Sequence, residues 1–364
     1  MNALIVSLNF NPGHFSHLAA NYRLFAECGY EPCLYVHPRF SAMDENNAYR
    51  KVTAPGELKA LGKIGAAVFW FPSLENVLEM FRLRFLRGTR LIYVFHEPFD
   101  SVANYHRSGF GLVKIAKIML INLVNVPLLW MAHEVILPSS ASYALYKKKY
   151  RWLNASFQRI PLLFDDELSG GELAADAKDC ISYIGTVAAD HAFDRFVDFV
   201  AHSVGQGLLP GKSFLIATRS EIPPRERETL QGLAPSGRVI VQCGRPMSTD
   251  EINAHYRRSA VVWNAYHRSN QSGVLPKAFM FGSAVISSTR TSNEFVDDRV
   301  TGIVIRDNSD VAEIAAAVSE ICADGPRYAQ ACRAKFLSTF YYRSKMKEFI
   351  DLLGHQKPRA LEES

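Results

Sequence analysis

The stretch Ser269-Asn-Gln-Ser-Gly-Val-Leu-Pro-Lys-Ala-Phe-Met-Phe-Gly282 decides how this chain is read. Before it, Ala260-Val-Val-Trp-Asn-Ala-Tyr266 is an apolar run of strand length; after it, Ala284-Val-Ile-Ser287 is another. Between them lies a polar loop with one glycine, and then Pro276, where a helix would begin. Proline suits the first turn of a helix, because its missing N–H would have no partner there anyway. Backbone N–H groups leading into a helix N-terminus attract anions, and Lys277 adds a full positive charge. The pattern describes a phosphate cradle, or else an ordinary strand–loop–helix turn with a solvated lysine. The order of the flanking segments decides between them.

Working outward, the first half alternates short apolar runs with helical patterns. Strands are expected at 3–9, 32–37, 66–71, 91–96 and 134–138, and helices most clearly at 15–28 and 110–132. Continuously apolar runs of four to eight residues suit parallel strands buried on both faces. The rhythm restarts with strands at 181–185, 213–218, 239–244, 261–266 and 284–287, followed by helices near 309–323 and 327–354. The expected class is α/β: two doubly wound, Rossmann-like domains facing each other across a cleft. The expected boundaries are 1–155 for the first domain, 156–178 for a linker, 179–340 for the second domain, and 341–364 for a terminal helix and polar tail. Pro161, Asp165-Asp166 and Ser169-Gly-Gly171 mark the linker.

A length of 364 residues suits two domains, and 48% hydrophobic with 21% charged residues suits a soluble globular chain. The net charge of +5 is compatible with an anionic ligand or an anionic membrane surface. It is too dispersed for nucleic acid, and no recognition motif for one is present. Cys28, Cys33, Cys180, Cys243, Cys322 and Cys332 form no CxxC pair and no zinc spacing, as expected of apolar fillers in the reducing cytoplasm. The first residues read as a strand rather than a signal peptide.

From Gly244-Arg245 onward the motifs follow a fixed series. A helix with Asp250-Glu-Ile and Tyr256 precedes the strand, the phosphate loop and the Ala278-Phe-Met-Phe-Gly282 helix end. Glu294-Phe-Val and Thr301-Gly302 complete it. In that order the chain resembles GT-B fold glycosyltransferases, and among them the large retaining family 4 (glycosyl transferases group 1). The resemblance covers nearly the whole chain and is strongest at 243–305. It implies that the second domain binds a nucleotide-sugar donor through Gly244, Arg245, Ser269, Ser272, Gly273, Val274, Lys277 and Arg219. It also implies that the leaving pyrophosphate is neutralised without a metal or other cofactor. Two departures stand out. Where the family shows Glu-x7-Glu, this chain has Ser269 and Lys277, and a lysine cannot accept the ribose hydrogen bonds. Where the family carries Arg and Lys after the first strand of the domain, Thr186 and His191 stand here. Lys277 and Arg219 are the expected substitutes for that charge.

In the first domain, Asn11-Pro-Gly-His14 follows the first strand, and His96-Glu97 ends the strand at 91–96. Strand ends of such sheets face the ligand crevice, and a histidine near neutral pKa suits removing a proton from a sugar hydroxyl. His14, His96 and Glu97 are therefore the expected catalytic residues; Gly13, His14 and Arg107 are the expected acceptor contacts. His17 is expected to face solvent, and His133, His202 and His255 to be structural. Family order implies retention, whereas Gly13-His14 resembles inverting relatives, so the stereochemistry stays open.

The implied activity is transfer of a sugar to a hydroxyl of a glycan or lipid-linked glycan, in bacterial-type polysaccharide or lipopolysaccharide assembly. The alternatives are a non-catalytic GT-B domain binding a glycan or a partner protein, and a nucleotide-sugar 2-epimerase. Residues 110–132 combine Lys114 and Lys117 with an apolar run interrupted by Asn122, Asn125 and Pro127, too broken for a good membrane span. With the basic segment Phe81-Arg-Leu-Arg-Phe-Leu-Arg-Gly-Thr-Arg90, this run reads as a buried helix beside a solvated loop. The alternative is peripheral docking on the anionic inner face of the membrane.

Overall fold

The computed structural model describes residues 1–44, 47–168, 173, 178–268, 272–289 and 294–354. The chain forms two compact units. The first comprises 1–106, 111–165 and everything from Thr339; the second comprises 107–110 and 166–338.

The first unit is built on a sheet of seven parallel strands in the order β3-β2-β1-β4-β5-β6-β7. These are β1 (Asn2–Ser7), β2 (Glu31–Val36), β3 (Lys51–Val52), β4 (Ile64–Trp70), β5 (Arg90–Val94), β6 (Glu134–Leu137) and β7 (Phe157–Arg159). All seven residues of β4 are buried, as a central strand covered on both faces requires. The helices are α1 (Phe15–Glu27), α2 (Leu74–Phe81), α3 (Val102–Arg107), α4 (Leu112–Met131) and α5 (Ser140–Lys149). A π-helical turn over Arg82–Leu86 extends α2.

The second unit has six parallel strands in the order β10-β9-β8-β11-β12-β13. They are β8 (Cys180–Ile184), β9 (Ser213–Ala217), β10 (Val239–Gln242), β11 (Ser259–Asn264), β12 (Ala284–Ser288) and β13 (Gly302–Ile305). Its helices are α6 (Phe193–Gly205), α7 (Pro224–Leu233), α8 (Thr249–Arg258), α9 (Val274–Met280), α10 (Val311–Ala323) and α11 (Gly325–Thr339). In each sheet the chain starts at a central strand, winds outward, then crosses back. The order therefore reverses between β1 and β4, and between β8 and β11. At such a switch point the loops at the carboxyl ends diverge and leave a crevice.

Besides the short strands β3 and β13, which the sequence did not mark, three features differ from the sequence reading. Residues 157–159, assigned to a linker, pair with β6 as an edge strand. The terminal helix pattern breaks after Thr339 and resumes as α12 (Met346–Leu353). This last segment returns to the first unit: Phe349 meets the edge of the Phe25 ring at 5.0 Å, and Tyr342 donates to Glu27 at 2.5 Å. Residues 355–364 of the expected tail lie outside the described residues. Finally, α4 runs unbroken through Pro127, and more of it is exposed than buried.

Candidate functional site

In the second unit the switch point is lined by three segments. The first follows β8. Gly185 turns the chain at φ +138°, a conformation that favours glycine, and lies against Val274 at the start of α9. His191 then folds back: its Nδ1 donates to the Thr186 carbonyl at 2.8 Å, and its ring stacks on Tyr266 at 4.4 Å. With Nδ1 donating, the lone pair of a neutral ring sits on Nε2.

The second segment is the end of β11. Tyr266 is fully buried, its phenol is pushed up to about 12 by burial, and its hydroxyl reaches the Ser272 side chain. Asn264 is also buried, and its Oδ1 has no hydrogen-bond partner among the described residues.

The third is the start of α9. The Ser272 hydroxyl accepts from the Val274 N–H at 3.2 Å. The helix begins at Val274, so Pro276 stands third rather than first. It is still tolerated, because the first four N–H groups of a helix have no intrahelical acceptor. His191, Tyr266, Ser272 and Val274 thus form one linked set across the switch point. Ser269 lies outside the described residues.

Lys277 sits where α9 packs into the unit and is 8% exposed. Its ammonium donates to Glu167 at 2.5 Å and to Asn253 at 3.0 Å, and the Asn253 amide donates to the same Glu167 oxygen. The charge read from the sequence as a phosphate ligand is thus held by a carboxylate and an amide of its own unit. Arg219 is exposed at the loop after β9, where Ser220 accepts from the Val187 N–H at 3.1 Å. Gly244 turns at φ +78°. The Arg245 guanidinium forks onto Glu251, whose carboxyl that hydrogen bond holds down to about 2. Glu251 also completes the capping box of α8 with Ser248. The Arg245 side chain therefore fixes the turn, and the Gly244–Arg245 backbone is left to meet a ligand.

In the first unit, Asn11 caps a short turn by accepting from the exposed Gly13 N–H at 3.2 Å, and this turn presents His14. The His14 ring stacks on Phe71 at 3.4 Å, and Phe71 lies 6.3 Å from His96. Phe71 itself is a bulky residue at φ +61°. That conformation costs on the order of 1 kcal/mol and persists only where surroundings enforce it. Asn76 does so, donating to the carbonyls of Trp70 and Phe71 at 2.8 and 2.7 Å. Loops after β1, β4 and β5 therefore bring His14, Phe71 and His96 into one row, with Glu97 exposed beside it. Sequence reasoning missed Phe71 and Asn76, since neither belongs to a residue type with an obvious chemical role.

Other expectations change. Arg107 falls in the second unit rather than the first. His17 is buried instead of solvated: it bonds the Leu163 carbonyl at 3.0 Å and stacks on Trp70 at 5.4 Å. His133 and His255 serve the structure, each bonded to a neighbour, with burial lowering both pKa values below the usual histidine range. Among the described residues no three His, Cys, Asp or Glu side chains gather as a metal would need.

Two doubly wound parallel sheets in one chain, with a C-terminal segment that returns to the first unit, match known glycosyltransferase structures. A glycosyltransferase from Rickettsia africae superposes with a TM-score of 0.69 at 11% identity, covering 100% of this chain and 99% of its own. HepE of Anabaena, in complex with UDP, superposes at 0.66 and 13% identity, covering 97% of this chain and 99% of HepE. WaaG, a glycosyltransferase involved in lipopolysaccharide biosynthesis, superposes at 0.63 and 12% identity, covering 98% and 100%. The fold is GT-B. Residues 178–324, most of the second GT-B unit, match the family model described as Glycosyl transferases group 1. No curated protein matches the chain by sequence.

Proposed function

We propose that this GT-B protein is a glycosyltransferase that moves a sugar from a nucleotide-sugar donor to a hydroxyl of a glycan or lipid-linked glycan. The observation that carries the reading is the match of residues 178–324 to group 1 glycosyltransferases, centred on the loops knitted together by His191, Tyr266 and Ser272. HepE, with this fold, is known in complex with UDP-glucose. The donor diphosphate lies at the start of α9, within reach of the Gly273 amide, His191 and Arg219, and the base lies along Gly244–Arg245. No metal takes part. The acceptor is bound by the first unit around Gly13, His14, His96 and Glu97, and the setting is polysaccharide or lipopolysaccharide assembly in the cytoplasm. Charge stabilisation of the leaving diphosphate by backbone dipoles and cations is the main catalytic device of such a site.

The pairing of Lys277 with Glu167 favours one second reading, a GT-B domain that binds a glycan or protein and has lost donor chemistry. Thermal melting with UDP, GDP, ADP and their sugar conjugates, without added metal, separates the two. A ligand of the native state raises the melting temperature. The proposal predicts a rise with one nucleotide class, followed by release of free nucleotide from its sugar conjugate. Absence of any rise supports the second reading, and a changed sugar nucleotide without acceptor would identify an epimerase.

A further inference from the structure

The turn after β4 carries two unfavourable features at once. Phe71 holds a left-handed backbone that a bulky side chain rarely adopts. Asn76, fully buried in α2, donates to the carbonyls of Trp70 and Phe71, which fixes the orientation of its amide. Its Oδ1 is then left buried, with no hydrogen-bond partner among the described residues. A buried acceptor without a donor is destabilising, as is the backbone that Asn76 enforces. The residue that holds the turn is itself held, since the Ser73 hydroxyl caps α2 by accepting from the Asn76 N–H at 3.1 Å. Strain that the surroundings keep in place concentrates at working sites.

What this turn delivers is the Phe71 ring. It lies flat against His14, with centroids 3.4 Å apart and planes within 12° of parallel. Two neutral rings do not prefer a full face-to-face stack, whereas a cationic ring is attracted to an aromatic face. The pairing therefore suits a histidine that takes up a proton. Both nitrogens of an imidazole lie in the ring plane, so covering one face fixes that plane and leaves the edge open for proton transfer. The N–H groups of Gly13 and His14 bond Asn11 and fix the backbone of the short turn, and the Phe71 face fixes the ring. A general base works only when held within hydrogen-bond reach of the proton it removes.

We infer that Phe71 is a positioning residue for His14, and that Asn76 locks Phe71 in the conformation this requires. The inference rests on the glycosyltransferase reading, with His14 as the base. It is read in the full chain as release of nucleotide from UDP-glucose, GDP-mannose and ADP-glucose, with water as the acceptor. Phe71→Leu keeps apolar bulk but removes the flat face. It should slow release about tenfold, the effect of a slightly misplaced group, while the rise in melting temperature with nucleotide is unchanged. Asn76→Asp places an ionised carboxylate, which cannot donate, beside the two carbonyls and should act in the same direction. Phe71→Tyr restores a flat ring and should recover most of the rate. In a His14→Ala background Phe71→Leu should slow release no further, because a positioning residue acts through the ring it holds. A merely structural role would give a loss in both backgrounds. Phe71→Leu as fast as wild type, or a loss that adds in full to that of His14→Ala, overturns the inference while nucleotide binding and release stand. No nucleotide binding or release by the wild type removes the glycosyltransferase reading, and this role with it.

Discussion

At the scale of single residues, Lys277 shows how a motif and a structure divide the same side chain. A lysine one turn into the phosphate-loop helix has the charge a diphosphate needs. In the fold its ammonium is buried against Glu167 and Asn253. A buried charge that loses its partner costs more than the pair contributes. Lys277→Ala is therefore expected to lower stability by about 2–3 kcal/mol, with Glu167→Ala adding little on top of it. Denaturant unfolding of the two single variants and the double variant measures this. An unchanged melting curve with lost nucleotide binding would instead return Lys277 to the phosphate. His14 follows the first strand as the sequence reads, whereas its stacking on the Phe71 ring was not legible there. His14→Ala is expected to slow transfer about 100-fold, the scale of a lost general base, while leaving nucleotide affinity unchanged. Comparable loss of nucleotide affinity in that variant would contradict an acceptor-side role.

At the scale of elements, the strands were legible because continuous apolar runs admit few other readings. Ten of them were found to within two or three residues of their ends. The edge strands β3, β7 and β13 were not, since two to four residues each carry too little apolar pattern to stand out. The helix α4 was located but expected to be buried. Its composition gives hydrophobicity, yet only the partners of Asn122 and Asn125 reveal that the polar side points inward. The junction of β5 and β6 makes a pH-dependent prediction. The His133 Nδ1 accepts from the Leu91 N–H at 2.9 Å, which requires that nitrogen unprotonated. Burial, then Arg84 and Arg90, holds the ring below its usual value of 6.5. As pH falls below 6.5 the unfolded chain takes up a proton that the folded ring resists, so this contribution to stability is present above 6.5 and lost on acidification. His133→Asn keeps an acceptor without a titrating proton. It should flatten the decline in melting temperature between pH 7 and about pH 5, and an identical decline in both proteins would refute the assignment.

At the scale of the whole molecule, the doubly wound architecture was legible because the same strand–helix rhythm occurs twice. The return of the C-terminal segment to the first unit was not, because a helical pattern does not say which sheet it packs on. The account rests on one placement: a nucleotide-sugar at the carboxyl ends of β8 and β11, where Gly185, His191, Tyr266 and Ser272 meet. The most direct test is amide hydrogen exchange of the full chain with and without the nucleotide that raises its melting temperature. Peptides spanning 185–192, 243–246 and the start of α9 should slow on binding, while those of the β1, β4 and β5 loops should change little without acceptor. Protection confined to the first unit, or none anywhere at saturating nucleotide, would contradict the account.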